Sequence, residues 1–202
     1  MAARVEKVVV SGVFSLDGQD FDVDNNVWLV GDDDEVLVID APHDAAPIVA
    51  AVGGRRVTAI VLTHGHNDHV TAAVALRGAT GAPVWFHPAD RMLWDVVHPD
   101  AEPDEDLAEG SEFTVAGLTL RAMHTPGHSP GSTCLHAPDL GTVFTGDTLF
   151  CGGPGATGRS FSDEPTILES IRTRLLTLPP DTVVRTGHGD DTTVAAEVGN
   201  VP

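Results

Sequence analysis

Residues 60 to 70 read IVLTHGHNDHV and crowd His64, His66, Asp68 and His69 into six positions behind an apolar run. Imidazole and carboxylate are costly to bury unless something pairs with them. In extended backbone alternate side chains share a side, so His64 and His66 point into one space. Asp68 and His69 follow at the expected first turn of a helix, point differently, and suit a neighbouring centre. The pattern recurs along the chain. MHTPGHSPGS places His128 in a loop after a strand, VFTGDTLF places Asp147 behind an apolar strand and a glycine, and VVRTGHGDD places His188 between Gly187 and Gly189. Histidine and carboxylate at the ends of several strands is how a sheet scaffold assembles a metal site. A donor set of imidazole and carboxylate without thiolate suits zinc, iron or manganese. A metal lowers the pKa of bound water to about 7, and two ions about 3.5–4 Å apart hold a hydroxide between them. The chemistry implied is metal-assisted hydrolysis. His43, His87, His98, His124 and His136 stand outside this pattern and read as hydrogen-bonded structural residues.

Elements that position such a set follow from periodicity. VEKVVVSGVFSL, NNVWLV and EVLVIDA read as strands, separated by turn-like GQDFDVDN and GDDD. DAAPIVAAV is a short helix. VTAIVL is a buried strand, VTAAVALRGATG a helix ending at glycine, APVWFH a strand, and PADRMLWDVV a helix opened by proline. The acidic stretch HPDAEPDEDLAEGSEF lacks apolar periodicity and reads as a solvated surface loop. FTVAGLTLRAMH, STCLHA and GTVFTG are strands, EPTILESIRTRLLTL a helix stopped by PP, TVVRT a last strand and TTVAAEV a last short helix. Strands with interspersed helices in both halves predict two packed sheets with helices outside, in one domain over residues 1–202.

Composition excludes several classes. The apolar fraction of 42% and charged fraction of 20% are those of an ordinary globular protein. A formal charge of -19, with Lys7 the only lysine, repels phosphate backbones and argues against nucleic acid as a partner. No apolar stretch approaches the roughly 18 residues of a membrane span. MAARVEKVVVSG has no signal-peptide pattern, so a cytoplasmic protein is expected. Cys134 and Cys151 are too few for a disulfide framework. Cys134, within a strand, reads as a core residue.

These motifs resemble the metallo-β-lactamase fold superfamily over nearly the whole chain, which implies an αββα sandwich. Asp40 in VLVIDA matches the first motif, His64, His66, Asp68 and His69 the second, His128 the third, Asp147 the fourth and His188 the fifth. The resemblance implies one metal on His64, His66 and His128 and another on Asp68, His69 and His188. Asp147 would bridge them and Asp40 would brace the ligands from behind. The implied cofactors are two divalent ions, zinc first, with iron or manganese as alternatives. FTGDTLFCGGPGATGR and the helix after it look like the glyoxalase II (hydroxyacylglutathione hydrolase) group, with Arg159 tying its loop or contacting a substrate anion. The expected substrate is then a small-molecule thioester, with Asp68 and Asp147 at the reacting centre. Two departures argue against lactoylglutathione itself. Only a short segment follows His188, without the C-terminal helical domain of full-length members, and the chain has no tyrosine. The rival reading is a mononuclear iron persulfide dioxygenase on the same fold. Lactonases share the ligand set, and secreted β-lactamases fit less well without a signal peptide.

Overall fold

Strand β3 (Glu35–Ile39) shows how the layers are made. Its alternate residues leave on opposite faces, so Val36 and Val38 enter one apolar cluster while Leu37 and Ile39 enter another. A strand buried on both faces needs partners on both sides, and the chain supplies them. The computed structural model describes residues 3–202.

The first sheet runs in order β1 (Arg4–Leu16), β2 (Gln19–Gly31), β3, β4 (Arg56–Val61), β5 (Val84–Phe86) and β6 (Glu105–Asp106). β1 to β3 are antiparallel neighbours and β3 to β6 are parallel. On its outer face lie α1 (Ala45–Val52), α2 (Asn67–Val70), α3 (Ala73–Thr80) and α4 (Arg91–Val97), closing a core that includes Ile48, Leu76 and Trp94. The second sheet holds β7 (Glu112–Val115), β8 (Leu118–His124), β9 (Thr133–Ala137) and β10 (Thr142–Gly146). After the two-residue strands β11 (Leu149–Phe150) and β12 (Gly153–Pro154), β13 (Val183–Thr186) and β14 (Thr192–Thr193) complete it beside β10. Between the sheets, Trp28, Leu37, Ile39 and Val61 meet Phe113, Leu120, Leu135 and Phe144. On the far side α5 (Glu164–Ser170) and α6 (Val194–Glu197) cover Cys134, Val143 and Val184 with Ile167 and Val194. Three apolar cores separate four layers, the αββα order expected. Among the described residues, no helix is long and apolar enough to cross a membrane.

Several boundaries differ from the sequence reading. GQDFDVDN is not a turn: the reversal takes only Asp17 and Gly18, both at positive φ, and β2 begins at Gln19. Two residues at positive φ match the right-handed twist of the flanking strands, the reason Asp-Gly favours hairpins. The acidic residues conceal a strand because alternation splits them. Asp20 and Asp24 accept hydrogen bonds from Ser15 and Ser11, while Phe21 stacks on Phe14 on the other face. Within the acidic stretch Glu105 and Asp106 pair with β5, and fully buried Leu107 anchors them. The helix after Asp163 widens to a π turn over Ile171–Leu175, and the helix expected from Val70 begins only at Ala73 as α3, Val70 itself closing α2.

The loop bearing His128 is pressed against α5. At Gly127 φ is 134°, and a Cβ there would lie 2.2 Å from the backbone nitrogen of Ile167. Gly127→Ala is expected to lower unfolding free energy by about 1–3 kcal/mol from backbone conformation alone, read by urea denaturation. An unchanged midpoint would mean that α5 does not hold this loop.

Candidate metal centre

The histidine-rich segment leaves β4 where that parallel strand ends, and each other motif leaves its sheet at the same end. Thr63 N donates to Asp40 Oδ1 at 2.7 Å, which fixes the exit from β4. His66 is the extended residue before α2, so Asp68 and His69 fall in the helix's first turn, both buried. His128 comes from the β8–β9 loop, Asp147 follows β10, and His188 follows β13. The structure brings all seven together.

Their donor atoms form two connected groups. His66 Nδ1 lies 3.0 Å from both His64 Nε2 and His128 Nε2. On the other side His188 Nε2 lies 3.3 Å from His69 Nε2 and 3.3 Å from Asp68 Oδ2. Asp147 stands between, with Oδ1 3.3 Å from His69 Nε2 and Oδ2 3.4 Å and 3.6 Å from the Nε2 atoms of His188 and His128. The triads His64–His66–His128, His64–His69–Asp147 and Asp68–His69–His188 each gather their donor atoms within 4.8 Å.

Charge divides the cluster in two. Burial holds His64 well below the ordinary imidazole pKa, with His69 and His66 pushing the same way, and burial with the neighbouring His128 takes His66 to about 3. Those rings are neutral lone-pair donors. Burial also opposes charge at His69, but Asp147, Asp68 and Asp40 outweigh it and raise that pKa well above the usual value. At His188 burial is likewise overcome by Asp147 and Asp68, to about 10. Burial opposes ionisation of Asp147, yet His69 and His188 bring it far below the carboxylate range. The carboxylate half therefore calls for positive charge. Supplying it with protons would set two imidazolium rings 3.3 Å apart. Asp68 Oδ1 and Asp147 Oδ1 are moreover buried without a hydrogen-bond partner, an arrangement that costs free energy unless a cation satisfies them. This His/Asp cluster suits divalent metal ions.

Residues behind the cluster fix its members. Asp40, at positive φ and buried, accepts from Thr63 Oγ1 at 2.9 Å and from His69 Nδ1 at 2.8 Å through Oδ2. His128 Nδ1 donates to the Ala156 carbonyl and His188 Nδ1 to that of Asp24. Such bonds set tautomer and ring orientation, presenting Nε2 as the lone-pair atom. Arg159 lies on the loop after β12, with Nη1 donating to Gln19 Oε1 at 3.1 Å and its guanidinium over Phe21. It ties the loop after β12 to the hairpin tip, helped by Ser160 N donating to Asp17.

The sequence reading missed three contributors. Asp90 receives Gly65 N at 2.8 Å, Gly131 N at 2.6 Å and Ser129 Oγ at 2.6 Å, clamping the loop of His64 and His66 to the loop of His128. No local motif marks it, because its partners lie 25 to 41 residues away. Asn26 ties β2 to the His188 loop by donating to the carbonyls of Thr186 and Gly189. Asn25 touches the cluster directly. Two adjacent amides inside an apolar strand, NNVWLV, were the available signal. The other histidines are hydrogen-bonded as expected at His98, His124, His87 and His43, although the partner of His43 is Asn25, whereas the ring of His136 on β9 makes no hydrogen bond among the described residues. Cys134 is a fully buried core residue whose thiol burial pushes to about 11.

The fold and this site define a class. The metallo-beta-lactamase superfamily matches over residues 21–188, and the chain belongs to that superfamily. Its relatives include the hydroxyacylglutathione hydrolase GloC of Haemophilus influenzae, 32% identical over 193 residues, covering 88% of this chain and 91% of that protein. Among solved structures, the BLEG-1 B3 metallo-beta-lactamase superposes with TM-score 0.80 at 29% identity, covering 96% of this chain and 98% of its own. TTHA1623, in a di-iron-bound form, superposes with TM-score 0.76 at 34% identity, covering 89% and 95%.

Asp90→Ala leaves two backbone N–H groups and a hydroxyl buried without their acceptor. It is expected to cost about 1–3 kcal/mol per orphaned group at most and to reduce bound metal. Urea denaturation with elemental analysis checks both. Wild-type metal content at a wild-type midpoint would show that the clamp is dispensable.

Proposed function

We propose that this chain is a metal-dependent hydrolase acting on a thioester of a low-molecular-weight thiol. His64, His66 and His128 hold one divalent ion, Asp68, His69 and His188 a second, and Asp147 bridges them, with zinc as the first expectation. The observation that carries the reading is the cavity of about 400 Å³ opening on this cluster. Its floor is Asp68, His128, Asp147 and His188, and its walls include Phe14, Val23, Phe150 and Ala156. Apolar walls receive an acyl chain or thiol stem and exclude water from the reacting carbonyl. Outside the seven proposed ligands, Asp24 is the only titratable lining residue among those described, and it is already engaged by Ser11.

That poverty in proton donors favours a leaving group that needs no proton. A thiol of pKa about 8.5 departs as thiolate, whereas opening an amide requires protonation of nitrogen. Divalent ions held by these residues would supply hydroxide at neutral pH and polarise a carbonyl. The protein's part is to place them and the substrate. Asp147 lies between the two donor groups, and Asp68 Oδ1, buried without a hydrogen-bond partner, would accept the proton of a water held at the site. Arg159 is engaged with a neutral amide rather than a carboxylate, so an anionic substrate group could exchange with Gln19. The similarity to GloC supports the thioester reading, and the di-iron form of TTHA1623 supports a site of two ions.

A panel of acyl thioesters, with free thiol followed by a chromogenic disulfide, tests the proposal. Multiple-turnover thiol release is expected. Oxygen uptake with persulfides and no thiol release would replace it with a dioxygenase, and faster opening of a β-lactam than of any thioester would replace it with a lactamase. Asp147→Ala is expected to lower turnover about 100-fold or more, because its carboxylate serves both ions. Full turnover by this variant would sink the bridging role.

A further inference from the structure

A second cavity, of about 260 Å³, abuts the one that opens on the cluster. Phe14 and Asp68 line the first, and their chain neighbours Ser15 and Asn67 line the second together with His66. The hairpin tip gives the second cavity Leu16, α4 gives it Met92, Leu93, Val96 and Val97, and the loop after β12 gives it Phe161. Met92 and Val96 stand four residues apart on α4 and so share one side of it. They are 42% and 81% exposed, and Phe161 is 49% exposed. Large apolar side chains from two elements left in water around one hollow mark a binding surface. Phe161 also stands at φ 69°, a conformation uncommon for a bulky residue. The flanking loop holds it there, with Ser160 N donating to Asp17 Oδ2 and Ser162 Oγ to the Arg159 carbonyl. A strained residue that its surroundings maintain and that buries little of itself points to a ligand.

The polar side chains of this lining are spent within the protein. Ser15 Oγ donates to Asp20 Oδ1. Asn67 accepts Ser15 N and donates to the Val13 carbonyl, and Asp17 accepts Ser160 N. His66 turns Nδ1 to the cluster. No lysine or arginine lines the cavity among the described residues, and Asp17 is its one acidic side chain. A hollow without a cation, in a chain of formal charge -19, repels an anion. The polar body of a small thiol carrier would lose its hydration here without gaining hydrogen bonds. An uncharged hydrocarbon gains from every wall. The part of a thioester that is hydrocarbon, and that starts at the carbonyl beside the cluster, is the acyl chain.

We propose that the second cavity binds the acyl chain of the substrate, so that thioesters of longer apolar acyl groups are preferred to acetyl. The inference rests on the thioester reading above and narrows its substrate class. The chain leaves the carbonyl past the rings of Phe14 and His66, whose centroids are 5.2 Å apart, and ends against Met92, Val96 and Phe161. The thiol arm stays in the first cavity. Val96 and Phe161 are then specificity-determining residues that touch substrate without touching the metal cluster.

The test is a series of S-acyl-N-acetylcysteamine thioesters from acetyl to octanoyl, which vary the chain on one small thiol. In wild type kcat/KM is expected to rise by about two- to fourfold per methylene, the gain from burying each CH₂. Val96→Asp, at an exposed position that tolerates the change, should lower the octanoyl-to-acetyl ratio of kcat/KM by about 10-fold, because it sets a charge against the chain. Phe161→Gly, which suits the positive φ and removes the ring, should lower the ratio by a smaller factor. A second readout needs no turnover. The chain has three methionines, and titration with 1-octanol should shift the labelled methyl resonance of Met92 while that of buried Met123 stays in place. Thioester turnover with the same kcat/KM at every chain length overturns this inference alone, as does an unchanged ratio in Val96→Asp. A Met92 resonance that ignores octanol but moves with protein concentration overturns it in favour of a second copy on this surface. Absence of turnover with every thioester overturns the proposed function and this inference with it.

Discussion

Asp40 and Asp68 are buried and Asp147 largely so, carboxylates set among imidazole rings at one end of two sheets, and the architecture is organised around their charge. A buried carboxylate is tolerated only where hydrogen bonds or opposite charge replace water. Asp40 is answered entirely within the protein, by Thr63 and His69. Asp68 and Asp147 are answered only in part, each retaining a buried oxygen without a hydrogen-bond partner. The remaining demand is for a cation. It is met without strain only if the surrounding rings stay neutral and turn their lone pairs inward.

That requirement explains why so much of the fold serves orientation. The three apolar cores fix the ends of β4, β10 and β13, and a side chain leaving a rigid strand end is placed more narrowly than one on a free loop. Each ligand ring whose far nitrogen meets a carbonyl or carboxylate has one tautomer selected, as at His69, His128 and His188. Asp90 performs the same service for backbone, joining the loops of His66 and His128 through Gly65 and Gly131. Asn26 does so between the sheets. Packing sets the strand ends, and hydrogen bonds set the angles of what leaves them.

What was legible in the sequence is what carries a local signature. Apolar alternation in EVLVIDA and VTAIVL gave strands, and polar donors immediately behind apolar runs gave His64 to His69, Asp147 and His188. The four-layer order followed from strands and helices recurring in both halves. The hairpin was less legible. Acidic residues of low strand propensity occupy Asp20, Asp22 and Asp24, and only pairing with β1 over its whole length makes that segment a strand. Glu105 and Asp106 are strand by the same external pairing. Asp90 was illegible for a different reason, and Asn25 was marked only by the adjacent amides of NNVWLV. Their partners are distant in sequence, so their roles exist only after the chain has folded.

The pocket adds a constraint on the substrate that the ligand set does not. Phe14, Val23 and Phe150 wall it. Metal stoichiometry of the purified protein, by elemental analysis of zinc, iron and manganese, tests the central account most directly. A cluster of two connected donor groups predicts about two ions per chain in total, whatever their mixture. About one ion per chain after saturation with metal would contradict it, because one half of the cluster would then have to satisfy its buried donors with protons.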